Sequence, residues 1–294
     1  MIATLQSLRF IFVMMIFISH FAYRDIRAFD AGGDCGVAFF FMLSGFVFSL
    51  GYGRQIREGS FRYGSFLRRR LWKLYPLHLL CLAFFLIVSG SVIDYSVLLN
   101  ALLLQSWVPD LEVYFSCNGV SWFLSSLFFC YLLFPLAYRW VSLWGLAMVL
   151  ALYAIVCWLT PYDHVNAILY VNPLVRFVDF YIGMVLCRLY ERGYNVSHAG
   201  MLEVLLVVVL VVLLAVYPAV DAKLRNAPMY WLVLVPLILV FAKEQGFVSS
   251  LLRRKPMLLL ASLSMPVYMV HQLAIGIILH RLPEVAGDVM LVVC

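Results

Sequence analysis

The stretch that decides the fold is R-F-I-F-V-M-M-I-F-I-S-H, residues 9–20, in which ten uncharged residues separate an arginine from a histidine. An apolar run of this kind predicts a membrane-spanning helix. On an α-helix, eleven steps of about 100° and about 1.5 Å bring Arg9 and His20 onto one face, roughly 16 Å apart. Because ionisable side chains are costly in lipid, they usually face a bundle interior or a wet cavity. The pair therefore predicts a polar path through a helical bundle, where we expect the chemistry to lie.

The composition of the whole chain indicates the same class of protein. Of the 294 residues, 65% are apolar and only 12% are charged, against about 25% charged in ordinary soluble proteins. Apolar segments recur along the whole length, and each can cross a hydrocarbon core of about 30 Å. We predict an all-α, polytopic transmembrane helix bundle with about nine or ten spans. It forms a single domain, residues 1–294, in which any chemistry takes place in or at the bilayer.

Nine candidate spans follow from the apolar segments. They are residues 7–23, 36–51, 72–89, 121–138, 142–159, 174–190, 203–217, 229–242 and 257–280. The first span lacks the basic leader and the small-residue cleavage site of a signal peptide, so we expect it to be retained. Residues 97–107 are short for a span, and we predict a re-entrant or interfacial helix there. Residues 281–294 read as a helix begun and cut short, which leaves open whether the domain lacks a final span.

The distribution of cations predicts the orientation of the bundle. With a cytoplasmic N-terminus and nine spans, fourteen lysines and arginines fall on the cytoplasmic side and five on the opposite side. This bias satisfies the positive-inside rule. Counting residues 97–107 as a span would reverse every later loop and remove the bias. The net charge of +6 is then mostly a matter of topology and requires no nucleic-acid partner.

Local motifs for metals and nucleotides are missing from this sequence. It contains no Walker A motif, no G-x-G-x-x-G and no H-E-x-x-H, so zinc hydrolysis and nucleotide-driven transport lack their usual signals. The seven cysteines show no metal-type spacing and mostly lie in predicted spans, where they pack as small apolar groups. Cys35 and Cys117 both fall near the predicted outer face, so a disulfide between them is the minor alternative. We predict no metal site.

The second apolar segment, G-G-D-C-G-V-A-F-F-F-M-L-S-G-F at residues 32–46, favours tight helix packing. Gly36 and Gly45 permit close approach of a neighbouring helix, and Ser44 can hydrogen-bond across the interface. We interpret this segment as structural. Asp34, at its predicted outer mouth, is the one candidate for a polar site.

A basic cluster, F-L-R-R-R-L-W-K-L-Y-P at residues 66–76, opens the third span. An anchor that obeys the positive-inside rule explains much of it. Arg70 and Lys73 are nevertheless one helical turn apart, and the cluster as a whole exceeds what orientation needs. Arg69, Arg70 and Lys73 are candidates for binding the phosphates of a soluble donor that arrives from the cytoplasm. Both interpretations stay open.

Two later spans carry titratable groups. Arg176 and Asp179 are spaced i, i+3 and can pair across one helical turn, which matters because an unpaired carboxylate inside a span is costly. A purely structural ion pair is the alternative. His271 falls in the outer half of the last span, at the predicted depth of His20. We expect these four groups to converge as a candidate active site.

In this order the motifs resemble those of the membrane acyltransferase-3 family, bacterial enzymes that O-acylate cell-envelope and secreted glycans. R-x10-H matches the family hallmark. Five more motifs follow over about residues 5–272: G-V-A-F-F-F-M-L-S-G-F, R-R-R-L-W-K-L-Y-P, W-F-L-S-S-L…Y-L-L-F-P, R-F-V-D-F-Y-I-G and S-M-P-V-Y-M-V-H. Two departures stand out, because Leu127 replaces an acidic residue of many members and Lys73 stands where arginine is usual. Most members also continue into one more span.

The resemblance implies an acyl-CoA donor, commonly acetyl-CoA, and a sugar hydroxyl of an envelope glycan or a lipid-linked sugar as acceptor. It implies a multi-pass protein of the bacterial inner membrane, with Arg9 and His20 essential and with Arg70 and Lys73 in the basic motif. A histidine, with an ordinary pKa of about 6.5, suits the removal of a proton from a hydroxyl group.

We expect His20 to act as the general base and the cations at positions 9, 70 and 73 to hold the donor phosphates. Arg176 and Asp179 would orient a base or stabilise developing charge. Direct transfer and an acyl relay through the bundle both fit this sequence. The rival hypothesis is a transporter or glycan exporter that uses the same charged stripe, and a non-catalytic membrane scaffold is a third.

Overall fold

The computed structural model describes residues 2–20 and 31–281, and within these stretches the chain is helical with no β-strand. The α-helices are α1 (Ala3–His20), α2 (Ala31–Arg57), α3 (Tyr63–Ser89), α4 (Tyr95–Ala101), α5 (Leu111–Tyr114), α6 (Trp122–Arg139), α7 (Leu143–Leu159), α8 (Pro173–Arg192), α9 (Ala199–Val216), α10 (Ala222–Arg225), α11 (Pro228–Ala242), α12 (Phe247–Leu252), α13 (Lys255–Ser262) and α14 (Ser264–Arg281). Short 3-10 turns and one π-helical segment, Asn166–Val171, connect some of them. The predicted all-α membrane bundle is confirmed.

The number of spans depends on how bent helices are counted. In the described part of the chain, six helices are long and apolar enough to cross a membrane, and eight segments qualify if each bent pair is one span. Helix α7 is apolar but shorter, at 17 residues. The prediction of nine to ten spans therefore exceeds the strict count, and α7 supplies the ninth segment.

The basic cluster lies inside a helix rather than in front of one. Helix α2 continues to Arg57 and α3 already begins at Tyr63, whereas the sequence predicted spans at 36–51 and 72–89. Arginine and lysine are good helix formers, so both helices continue beyond their apolar segments. A turn with Gly59 at a φ of 71° separates them, a conformation that glycine adopts without steric cost.

The prediction that residues 257–280 form one continuous helix is wrong. Helices α13 and α14 meet at an angle of 55°. Pro266 lies in the first turn of α14 and has no N–H to donate to the preceding turn, which favours a break there. The hydroxyl of Ser264 donates to the carbonyl of Ala261 at 2.9 Å and stabilises the junction.

Residues 97–107 do not form a span. They contain the end of the seven-residue helix α4 and a three-residue 3-10 turn, which are too short to cross a bilayer. Asp94 caps α4 by accepting hydrogen bonds from the backbone N–H groups of Ser96 and Val97. Leu103, two residues after the end of α4, has a φ of 57°, which is not a helical conformation.

The centre of the bundle is the contact between α2 and α8. A β-carbon on Gly45 would overlap the carbonyl of Phe180, and one on Gly183 would overlap the carbonyl of Met42. The two backbones are therefore in direct contact, as small residues allow in membrane helices. Cys35, near the start of α2, is a free thiol, and so is Cys117, so the minor alternative of a disulfide is not realised.

Candidate functional site

Arg9 and His20 line two different cavities and lie about three turns apart on α1. We call the first the basic cavity; it has a volume of about 220 Å³ and contains Arg9 and Val13 in its wall. The second is the histidine cavity, with a volume of about 310 Å³ and with His20 in its wall. Tyr268 lines both cavities. The prediction that Arg9 and His20 share an interior face is confirmed, and the face runs past two cavities that meet at one side chain.

The basic cavity combines three cations with a largely apolar wall. Arg9 comes from α1, and Arg70 and Lys73 come from α3, so two helices supply the positive charge. The remaining lining residues are mostly apolar or aromatic: Val13, Phe40, Leu43, Ser44, Val47, Phe48, Leu74, Phe123, Leu127, Tyr131, Ser264, Met265 and Tyr268. The arrangement suits a ligand with an anionic head and an apolar arm.

The position of Arg70 is fixed by aromatic side chains. Its guanidinium lies 4.4 Å from the ring centroid of Phe48 and donates a hydrogen bond of 2.8 Å to the hydroxyl of Tyr52. Arg69, one position earlier, is exposed and does not line the cavity; its guanidinium lies 5.9 Å from the Tyr52 ring centroid. Of the three predicted donor-binding residues, the structure brings Arg70 and Lys73 to Arg9 and leaves Arg69 outside.

Two histidines meet where α1 packs against α14. Nε2 of His271 lies 3.4 Å from Nδ1 of His20. Nδ1 of His271 lies 2.7 Å from the carbonyl oxygen of Tyr268, so this nitrogen carries the proton and Nε2 accepts. Nδ1 of His20 lies 2.8 Å from the carbonyl oxygen of Ile16 and therefore also carries a proton. Nε2 of His20 is then unprotonated, and no described residue hydrogen-bonds to it.

The histidine cavity is polar as well as aromatic. Asp34 lines it and accepts hydrogen bonds from the hydroxyls of Tyr217, at 3.2 Å, and Tyr170. Arg225 also lines the cavity, with its guanidinium 5.0 Å from the ring centroid of Tyr217. Three side-chain amides complete the polar lining: Asn166, Asn226 and Gln272. The cavity therefore offers both donors and acceptors to a ligand that carries several hydroxyl groups.

Arg176 and Asp179 form the predicted ion pair, but they lie behind the cavity wall. Nη1 of Arg176 lies 2.9 Å from a carboxylate oxygen of Asp179, and both residues are 1% exposed. Arg176 also donates to the carbonyls of Tyr170 and Asn226, both of which line the histidine cavity. The Trp231 indole N–H donates to Asp179 at 2.5 Å. This geometry allows the pair to position the wall, whereas His20 itself faces the cavity.

Several residues of the histidine cavity carried no signal in the sequence. Tyr170, Tyr217 and Asn226 come from connections between helices, and Arg225 is one of the five cations on the side opposite the predicted cytoplasmic face. Asp34 was the exception, because a carboxylate at the end of an apolar segment is unusual. Aromatic and amide residues in loops are too common for the sequence alone to single them out.

Comparisons with known proteins agree with the motif order. A family model described as an acyltransferase domain matches residues 2–294. Acyltransferase MdmB of Streptomyces mycarofaciens is 30% identical over 230 residues, which cover 65% of this chain and 58% of that protein. "Protein 2 in picA locus" of Rhizobium radiobacter is 40% identical over 72 residues, which cover 24% of this chain and 38% of that protein.

The chain thus spans less than two thirds of the length of either relative. No solved structure matches it. The family model matches nearly the whole sequence, and the residues that line both cavities fall within the match. The chain therefore belongs to the membrane acyltransferase-3 family.

Proposed function

We propose that this chain is a membrane O-acyltransferase. It moves an acyl group, acetyl in the first instance, from acyl-CoA to a sugar hydroxyl of an envelope or extracellular glycan. The observation that carries the proposal is that Arg9 and His20 line two cavities that share Tyr268. A transferase needs a donor site and an acceptor site that meet at one point, and two cavities that share one side chain support this arrangement. Family membership and the name of the relative MdmB support the reaction class.

The basic cavity supports the assignment of an acyl-CoA donor. Coenzyme A carries phosphates at one end and a thioester on a flexible arm at the other. Arg9, Arg70 and Lys73 bind the phosphates by charge-assisted hydrogen bonds, and the guanidinium groups can do so with two parallel bonds. The apolar lining between the cations and Tyr268 accommodates the arm. In the predicted orientation this cavity belongs to the cytoplasmic half of the bundle, where acyl-CoA is available.

The histidine cavity supports the assignment of a polyhydroxylated acceptor. Asp34 accepts hydrogen bonds from hydroxyl groups, and Arg225 and Asn226 donate to oxygen atoms. The rings of Trp122 and Tyr217 add apolar surface to the same cavity. Polar groups with nearby rings suit a sugar, whose ring has polar edges and apolar faces.

The two histidines then define the proton path. Nε2 of His20 takes the proton from the acceptor hydroxyl while the hydroxyl oxygen bonds to the thioester carbonyl carbon. The bond between this carbon and sulfur breaks, and the proton passes from His20 to the departing thiolate of coenzyme A. The products are an ester and free coenzyme A thiol. The Nδ1–H of His20 faces the carbonyl oxygen of Ile16 at 2.8 Å and Nε2 of His271 at 3.4 Å, so His271 helps to orient the His20 ring, a positioning role.

Arg176 and Asp179 act as positioning residues for the acceptor. They hold the backbones of Tyr170 and Asn226, so acceptor orientation depends on an intact buried pair. Because both cavities reach Tyr268, we favour direct transfer over a relay. We place the protein in the inner membrane of a bacterium as a multi-pass enzyme.

The test uses membranes that contain the wild-type protein, labelled acetyl-CoA and the glycans of the host envelope. The variants are His20→Ala and, as a matched control, His164→Ala, an exposed histidine that lines neither cavity. We expect labelled glycan from the wild type and from His164→Ala, and none from His20→Ala at equal expression. Labelling by all three proteins would remove His20 as the base. Labelling by none would overturn the acyl-CoA reaction and favour the transporter hypothesis.

A further inference from the structure

Three aromatic side chains line the basic cavity beside its junction with the histidine cavity. Phe40 of α2, Phe123 of α6 and Tyr268 of α14 all line the basic cavity, and Tyr268 also lines the histidine cavity. The ring centroids of Phe40 and Phe123 are 6.2 Å apart, and those of Phe123 and Tyr268 are 5.2 Å apart. We call these three residues the aromatic partition.

The aromatic partition is held in place from behind. Phe40, Phe123 and Tyr268 are 9%, 5% and 4% exposed. The Tyr268 hydroxyl donates a hydrogen bond of 2.8 Å to the carbonyl of Val120. Phe123 packs against Phe41, with ring centroids 4.8 Å apart. Close-packed rings on three different helices yield little to an incoming group.

The reaction places the acyl tail against this partition. The cations of the basic cavity retain the coenzyme A phosphates, so the thioester sulfur approaches from that side. The carbonyl carbon must reach the hydroxyl that His20 activates, and Tyr268 is the residue shared by the two cavities. The acyl tail, attached to the same carbon, then lies beside Phe40 and Phe123. Each added methylene group needs space that these rings occupy.

We infer that the aromatic partition limits the length of the acyl group, so that Phe40 and Phe123 are specificity-determining residues for short chains. This inference rests on the proposed acyl-CoA reaction. One methylene group in a hydrophobic pocket changes specificity by about 10- to 200-fold. Exchanging a partition phenylalanine for the smaller leucine should therefore change the chain-length preference measurably while keeping the site apolar.

The experiment compares transfer from acetyl-CoA and butyryl-CoA by the wild type, Phe40→Leu and Phe123→Leu. The matched control is Phe39→Leu, because Phe39 is buried beside Phe40 but lines neither cavity. We expect the ratio of butyryl to acetyl transfer to rise at least about tenfold in the two partition variants and to stay at the wild-type value in the control. The ratio of the two dissociation constants, measured by titration in detergent, applies the same test to a variant that turns over slowly.

An unchanged ratio in both partition variants would overturn the inference and leave the proposed function intact. An equal rise in Phe39→Leu would also overturn it, because general loosening of the core would then explain the effect. If the wild type transfers neither acyl group, the proposed function fails and the inference fails with it.

Discussion

The basic cavity and the histidine cavity share Tyr268 but are built in opposite ways. The basic cavity takes its charge from three side chains on two helices, and the rest of its wall is mostly apolar. The histidine cavity draws its polar groups from segments spread between Ser19 and Gln272, and a buried ion pair supports its wall. One cavity is a local cluster of cations, and the other is a network assembled by the fold.

This difference predicts how each cavity responds to an amino-acid substitution. In the basic cavity, the loss of one cation should weaken one ligand interaction and leave the fold intact. In the histidine cavity, a change behind the wall should disturb stability and acceptor binding together. Four substitutions test this contrast.

The largest effect is expected from His20→Gln. Loss of the proposed general base should lower kcat by about 10²- to 10⁴-fold. Coenzyme A affinity should stay at the wild-type value, because the cations of the basic cavity are untouched. Steady-state kinetics with labelled donor measure kcat, and calorimetric titration measures the affinity for coenzyme A. Substantially weaker coenzyme A binding would show that the cavities are not independent.

Asp179→Asn should produce the next largest effect, on stability. It removes the charge of the carboxylate that lies 2.9 Å from the Arg176 guanidinium, and breaking a buried pair costs about 3–5 kcal/mol. The control is Glu191→Gln, which breaks the exposed pair with Arg57, 3.1 Å apart; exposed pairs contribute about 0–1 kcal/mol. Thermal unfolding in detergent should show a clear fall in Tm for Asp179→Asn only. Equal Tm values for the two variants would contradict the supporting role of the buried pair.

Arg70→Gln should weaken the donor interaction alone. A hydrogen bond to a charged group contributes about 1.5–3 kcal/mol, so we expect the donor KM to rise by roughly 10- to 100-fold with an unchanged acceptor KM. Arg69→Gln is the matched control, because this neighbouring arginine lies outside the cavity. An equal rise in the donor KM of both variants would contradict this prediction, since the basic cluster at residues 66–76 would then act only through its net charge.

His271→Leu should have the smallest effect, a fall in kcat of about 3- to 10-fold, the value of one hydrogen bond. Both KM values should stay unchanged, because His271 positions His20 and lines neither cavity. His271→Gln keeps an oxygen acceptor near the same place and should restore part of the rate. A shift in either KM, or no rescue by glutamine, would argue for packing as the only role of His271.

The sequence predicted those features that depend on helical spacing and on depth in the membrane. The spacing of Arg9 and His20 correctly placed both on the interior face of α1, and the i, i+3 spacing correctly paired Arg176 with Asp179. Depth along the bundle suggested that His20 and His271 converge, and they lie in contact although 251 positions separate them. These predictions needed only helical geometry and the cost of charge in lipid.

Features that depend on the orientation of one helix relative to another could not be predicted from the sequence. Arg69 and Arg70 are adjacent and chemically identical, yet only Arg70 faces the basic cavity. Arg176 and Asp179 pair as expected, but their helix turns them behind the wall of the histidine cavity rather than into it. The bend between α13 and α14 was missed although Pro266 marks it, because the apolar run on either side reads as one span.

The glycine contact between α2 and α8 has a consequence for motion during turnover. Helix α2 passes both cavities, with Asp34 in the wall of one and Phe40 and Phe48 in the wall of the other. At Gly45 and Gly183 the two helices touch backbone to backbone, so sliding of α2 along α8 would push the carbonyl groups of Phe180 and Met42 into the backbone of the opposite helix. We therefore expect α2 and α8 to move together rather than to slide past each other. Ligand entry to the basic cavity would then involve its other walls, such as α3 and α14.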